Sequence, residues 1–195
     1  MKKNLLIALA LIAISVKSEA QTKWIVDPVH SSINFNIEHL VISEVEGKFK
    51  AYTGTLGAAK PDLTDAVIDF AIDVNSIDTD NDMRDKHLVS ADFFDAEKFP
   101  KMTFKSTSLK KVSGNKYVLN GNLTMHGVTK PARFDVTYGG TAKDGYGNVK
   151  AGFKAKGTVN RFDYGLKYNA LTEAGGATLG KDVEIDLKLQ FAQAK

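Results

Sequence analysis

The sequence contains no cysteine, which removes disulfide cross-links, thiol nucleophiles, thiolate metal sites and lipid-modified cysteine from consideration. It has only four prolines and one tryptophan among 195 residues. Charge of one sign is scarce as well: 26 basic and 23 acidic residues leave a net +3, too little for long-range attraction to nucleic acid or anionic lipid. Long hydrophobic runs are missing except at the start, where Leu5 to Val16 follows Lys2 and Lys3 and ends in Lys17, Ser18, Glu19 and Ala20. Spanning a bilayer takes about 20 predominantly apolar residues, so this run reads as a secretory signal peptide over residues 1–20, cleaved before Gln21. The expected mature chain, residues 21–195, is one soluble domain of net charge +1 once the three lysines and one glutamate of the leader are gone. It has no stable membrane insertion, and it is large enough to fold without disulfides.

What the mature chain does have is period-two alternation. Val183, Ile185, Leu187, Leu189 and Phe191 alternate with Asp182, Glu184, Asp186, Lys188 and Gln190, the pattern of a strand with one buried face. The same alternation runs through Ile68 to Val74, Tyr117 to Met125 and Ala132 to Tyr138, with shorter versions at Phe49, Met102 with Phe104, and Phe153. Ser113-Gly114-Asn115, Gly139-Gly140 and Asp144 to Asn148 separate these runs as hairpin turns do. Pro61, Pro100 and Pro131 sit between runs or at their starts, where a missing donor does least harm.

The reading predicts eight strands, over roughly 22–37 (broken at Pro28), 45–59, 66–74, 101–111, 115–126, 131–139, 148–161 and 182–192. One helix over 80–89, capped by Thr79 or Asp80, puts Met83, His87 and Leu88 on one side. Sequential antiparallel strands without a βαβ rhythm predict an all-β fold, an extended eight-stranded up-and-down barrel, with a two-sheet sandwich as the alternative.

An eight-stranded barrel is either just filled by side chains or just wide enough for one small ligand. On the inferred inner face Phe35, Phe49, Phe70, Phe104, Phe134 and Phe153 share space with Ala51, Gly121, Ala132, Ala151, Ala155 and Gly157. Side-chain size alone leaves a filled, tapering core and an apolar channel equally open.

In this topology the long connections 38–44, 75–100 and 162–181 all emerge at one end, as a helix and a loop carrying Tyr164, Leu166, Tyr168 and Leu171. That end collects His39, Arg84, His87, His126 and Arg161, which suit a polar or phosphorylated head group or else pair with Asp85 and Asp163.

Few chemical motifs survive inspection. Gly175 to Lys181 matches G-x-x-x-x-G-K, but Asp182 replaces the Ser or Thr that would hold magnesium, and a strand follows instead of a helix. His30, His39, His87 and His126 lack metal spacing, and there is no G-x-S-x-G elbow around a nucleophilic serine. Lys150, Lys154 and Lys156 face Asp182, Glu184 and Asp186 as cross-strand partners, and Trp24 reads as a core plug. The chain is therefore expected to need no metal or covalent cofactor and not to be an enzyme. A hydrolase or isomerase with a histidine at the mouth is the competing class.

Four ordered blocks span almost all of the mature chain: WIVDPVHSSINFNIEHLVISEVEGKF (24–49), MRDKHLVSADFFDAEKFPKMTFKST (83–107), YVLNGNLTMHGVTKPARF (117–134) and NRFDYG (160–165). Together they resemble the YceI-like family of periplasmic, lipocalin-like polyisoprenoid-binding proteins. The resemblance implies a periplasmic, lipocalin-like barrel that carries an isoprenoid lipid, an isoprenoid quinone or another long-chain apolar molecule in its pore. It implies pore-lining roles for Phe35, Phe49, Phe104, Leu123, Met125 and Phe134, with Arg161 and His39 at a polar end, while Phe70 and Phe153 join them from the inner-face pattern. Tyr164 stands where the family has Phe. Neither a monomer nor a homodimer is singled out, and the exact ligand does not transfer.

Overall fold

The computed structural model describes residues 21–170 and 178–194; the leader, Leu171 and the Gly175 end of the 175–181 stretch lie outside the described residues. The strands are β1 Thr22–Val26, β2 Ser32–His39, β3 Ser43–Phe49, β4 Tyr52–Ala58, β5 Val67–Asp73, β6 Ile77–Asp78, β7 Lys101–Ser113, β8 Lys116–Met125, β9 Val128–Lys143, β10 Val149–Asn160 and β11 Leu179–Gln193. All pairings are antiparallel, and the ring β1-β4-β5-β7-β8-β9-β10-β11 closes because β11 pairs with β1 through Trp24 to Val26. This is the expected eight-stranded up-and-down barrel, not the sandwich.

Three of the eight long strands are interrupted, which is why eleven segments make eight staves. The first breaks at a 3₁₀ turn over Pro28–His30, as Pro28 led one to expect, so that β11 pairs with β1 at one end and with β2 at the other. The second breaks at Lys50–Ala51, between β3 and β4. There the inward phase jumps from Phe49 to Tyr52, and Ala51, expected inside, is exposed and offers its carbonyl to Asp73 N at 2.9 Å. The third breaks at a 3₁₀ turn over Val74–Ser76, capped by the Asp73 carboxylate, and leaves the two-residue β6 beside β3.

Pro131 proves to lie inside β9 rather than at its start. It is opposite Asn122 of β8, while pairing with β10 begins only at Asp135, so its missing N–H faces an unladdered side. The helix is α1, Asp82–Val89, and its cap is Asn81, whose side chain accepts from Arg84 N at 3.0 Å, rather than Thr79 or Asp80. Arg84, His87 and Leu88 turn inward while Met83 faces solvent, so Met83 does not belong to the inward side.

The connections 40–42, 79–100, 126–127 and 161–178 emerge at one end of the barrel, as the topology predicted, and 59–66, 114–115 and 144–148 at the other. The far end is packed shut: Trp24, Leu63, Ala66 and Tyr117 are buried there, and the Tyr117 hydroxyl donates to the Asp62 carbonyl at 3.1 Å. Among the described residues no helix is long and apolar enough to cross a membrane.

Outside the barrel, Lys156 pairs with Asp186 at 3.1 Å as expected, but Lys154 faces Lys188. Lys150 turns instead to Asp27 at the Pro28 break, 3.1 Å away. Asp27 also accepts from His30 Nδ1 at 3.1 Å, Gln190 Nε2 at 3.3 Å and Val29 N at 3.2 Å. The hydrogen bond from Lys150, ahead of that from His30, pulls the Asp27 carboxyl down from 3.8 to about 2. Because the folded pKa is the lower one, Asp27 stabilises the fold above pH 3.8, and that contribution disappears as pH falls toward about 2. Asp27→Asn should therefore lower the urea-unfolding free energy at neutral pH by about 1 kcal/mol. The gap to the wild type should close as the titration is carried from pH 3.8 to about 2.

Candidate functional site

Large residues inside a narrow barrel would fill it if their rings pointed at the axis. Here they do not. Phe35, Phe70, Phe104 and Phe134 lie over Gly47, Gly54, Gly121 and Gly157 of the adjacent strands, and a Cβ placed on any of the four glycines would come within 3.0 Å of the ring. The glycines let each ring lie along the wall instead of across the lumen. Gly121 and Gly157 were expected to widen the channel by being small; they do so by seating a ring, not by standing open.

The result is a cavity of about 460 Å³, within the range of small-molecule pockets. Its wall is almost wholly apolar. Of the ten residues singled out in the sequence, Phe35, Phe70, Phe104, Leu123, Met125, Phe134, Phe153, His39 and Arg161 line it. Phe49 does not: it keeps the inward phase opposite Ile33, but its buried ring is packed against Phe35 at 5.6 Å and Phe94 at 6.3 Å. Among the small residues only Ala155 reaches the cavity, whereas Ala132 and Ala151 are buried elsewhere in the core.

The lumen narrows where Phe70, its ring still over Gly54, meets Phe191 edge to face at 6.0 Å, on strands separated by β4 and β1, and where Phe153 joins Phe191 at 5.7 Å; all three rings line the cavity. Ile33, Ile37 and Val45 also line the wall and share the inward phase of Phe35 and Phe49, so the alternation contained the signal for them. Phe93 and Phe94 line it as well, from the segment after α1, where no periodicity marks them.

Polar groups gather at the α1 end. Arg161 is 3 % exposed. Its Nε donates to the Gly180 carbonyl at 2.8 Å, and Nη1 donates to the Leu166 and Tyr168 carbonyls at 2.6 and 2.8 Å. It thus ties both arms of the β10–β11 connection together with backbone acceptors, and it lies 4.5 Å from the Phe162 ring. Burial pushes the guanidinium pKa below its ordinary value, but arginine remains a cation at neutral pH.

Arg84 donates from Nε and Nη2 to Thr79, at 2.7 Å each. Asp85 receives the Thr79 hydroxyl and N–H instead of pairing with an arginine. Among the described residues neither Arg84–Asp85 nor Arg161–Asp163 forms an ion pair, so both cations lining the cavity face it without a carboxylate partner.

His87 lines the cavity with Nε2 3.1 Å from Asp92, and its ring meets Phe93 at 5.0 Å and Tyr168 at 4.9 Å. Tyr168 packs on Phe93 at 4.6 Å, so the α1 side and the β10–β11 connection touch above the opening. His126, grouped with the mouth residues in the sequence, is not part of the lining. It occupies a left-handed turn position, φ 51°, between β8 and β9, with Nδ1 3.1 Å from the Tyr164 carbonyl and its ring 4.8 Å from Phe99.

The model of the YceI-like domain matches residues 24–191. The chain is 41 % identical over 172 residues to a UPF0312 protein of Staphylococcus epidermidis, covering 88 % of this chain and 98 % of that one. It is 36 % identical over 198 residues to protein YceI of Salmonella newport, covering all of both. Among solved structures, the Campylobacter jejuni YCEI protein superposes with a TM-score of 0.68 at 32 % identity, over 81 % of this chain and 90 % of that one. A polyisoprenoid binding domain from Saccharophagus degradans, implicated in plant cell wall breakdown, superposes with a TM-score of 0.62 at 17 % identity, over 88 % and 98 %. With a family match over nearly all of the described barrel and relatives of this identity, the chain belongs to the YceI-like family.

Proposed function

We propose that this protein is a periplasmic carrier that binds one long-chain apolar molecule, an isoprenoid lipid or isoprenoid quinone, in the barrel lumen. The observation that carries the reading is the 460 Å³ apolar cavity kept open by phenylalanines folded onto glycines. Each CH₂ moved from water into such a wall contributes roughly 0.8 kcal/mol before ordering costs. Among the described residues the charged and histidine groups of the lining, Arg84, His39, His87 and Arg161, stand at the α1 end, so a molecule with an apolar tail and a polar or anionic head has one favoured orientation, head toward Arg84, His39 and Arg161. Family membership and the printed binding of the Saccharophagus relative support a lipid ligand. The leader-like residues 1–20 support export.

Carriage accounts for the site better than catalysis does. Among the described residues no serine, threonine or lysine side chain is hydrogen-bonded to the imidazole of His87 or His126, whose partners are Asp92 and the Tyr164 carbonyl. The Arg161 guanidinium is turned to backbone carbonyls rather than set beside a nucleophile or base.

Native mass spectrometry of the purified protein, followed by solvent extraction, should reveal a retained apolar molecule, and radiolabelled geranylgeraniol should bind from detergent solution with one molecule per chain. Protein that neither retains lipid nor takes up geranylgeraniol would end the carrier reading. Two substitutions separate cavity from wall. Ala155→Phe projects a ring into the lumen and should abolish geranylgeraniol binding while costing about 1–3 kcal/mol of stability. Gly121→Leu drives its Cβ into Phe104 and the Lys105 carbonyl, so its main effect should be on folding, read as a larger fall in the thermal midpoint than Ala155→Phe produces.

A further inference from the structure

The β2–β3 connection contradicts its own sequence. Leu40 and Val41 both sit at left-handed backbone positions, φ 56° and 64°, where glycine or asparagine is at ease and a β-branched valine is strained. The side chains gain little from it: Val41 is 69 % and Ile42 85 % exposed, and Leu40 is exposed as well. Three consecutive apolar residues at the apex of a tight hairpin, two of them in the wrong backbone region, cost the isolated fold both strain and exposed apolar surface. Such local conflicts mark places where something outside the fold is engaged.

The apex stands at the mouth. Leu40 N donates to the Thr178 carbonyl at 2.8 Å, and the residues on either side of that bond, His39 and Thr178 with Leu179, line the cavity. The same end of the barrel carries Met83, 81 % exposed on α1, together with the exposed Phe162 and Tyr168. Going around the rim, the order of strands places the β10–β11 connection, the β2–β3 apex and α1 next to one another. The apolar apex is therefore a convex knob continuous with the opening of the lipid site, and a knob buries its surface in a deformable medium rather than in a preformed groove.

We infer that the mouth end docks reversibly on the surface of a lipid bilayer by inserting Leu40, Val41 and Ile42, so that the ligand passes between membrane and cavity without crossing water. This rests on the carrier reading. Insertion of this kind is driven by apolar burial at the headgroup boundary. Glu38 and Glu44 face each other on the strands below the apex and add no attraction for an anionic surface, so zwitterionic lipid suffices and added salt should not release the protein.

The mature protein should cosediment with sucrose-loaded phosphatidylcholine vesicles, and replacing part of the lipid with phosphatidylglycerol should not increase the bound fraction. The double variant Val41→Gly, Ile42→Ser should bind these vesicles about ten-fold more weakly, because two inserted side chains are lost. Its thermal midpoint should stay the same or rise, since glycine relieves the strain at position 41. Its uptake of geranylgeraniol from detergent solution should be unchanged, because neither residue lines the cavity. Val112→Ser with Tyr146→Ser removes exposed apolar groups from the opposite end and should leave vesicle binding intact.

Failure of the wild-type protein to sediment, equal sedimentation of the apex variant, or loss confined to the opposite-end variant would each overturn membrane docking. Apex-dependent sedimentation without geranylgeraniol uptake would instead refute carriage and leave docking standing.

Discussion

Gly47, Gly54, Gly121 and Gly157 carry no side chain, and over each of them a phenylalanine from the next strand lies against the backbone. The architecture depends on that contact. A glycine inside a strand costs roughly 0.5–1 kcal/mol relative to alanine, and here the exposed backbone is covered by an aromatic face that contributes its own burial. Any larger residue at these positions would lift the ring toward the axis, and four lifted rings would turn the lumen into an ordinary filled core. The pairs are spread around the barrel, on β2 and β3, β4 and β5, β7 and β8, and β9 and β10. The hollow is thus a property of the whole wall rather than of one gap.

From a hollow wall the asymmetry of the molecule follows. Toward the far end Phe70, Phe191 and Phe153 gather edge to face, and Trp24 and Tyr117 are buried at that end. At the α1 end the long connections arrive, and they bring the polar groups with them. Arg161 is central there, because a buried guanidinium with backbone carbonyls on Leu166, Tyr168 and Gly180 holds the two arms of the β10–β11 connection in one arrangement. Among the described residues no carboxylate pairs with this cation beside the apolar cavity, a charge that a tail-and-head ligand can meet and a purely hydrocarbon one cannot.

Much of this was legible because a strand reports its two faces in every second residue. The alternation in 182–192 and 117–125 marks β11 and β8, and the count of eight staves and the grouping of long connections at one end follow from it without coordinates. Seven of the ten candidate cavity residues occupy the lining for the same reason, since an inward phase survives any change in barrel curvature, and His39 and Arg161, placed by the order of connections and the family resemblance, line it too. Ala51 was misplaced because the break at Lys50–Ala51 shifts the phase, and no turn residue announces that break, whereas Phe49 keeps its phase and is packed against Phe35 and Phe94. His126 stands at the predicted end but off the lining, because the end of the barrel can be inferred from topology but the direction of a turn side chain cannot.

The sequence by itself determined the class of fold, the strand phases and the end at which polar residues collect, because these depend on local periodicity and on the order of strands, while the family was carried by four ordered blocks of residues. Only the tertiary structure decided whether the barrel was empty. Phenylalanine and glycine in the inward phase are equally compatible with rings crossing the axis and with rings lying on the wall, and the choice is made by which glycine faces which ring across the register. That pairing is a relation between strands, and no stretch of a single strand contains it.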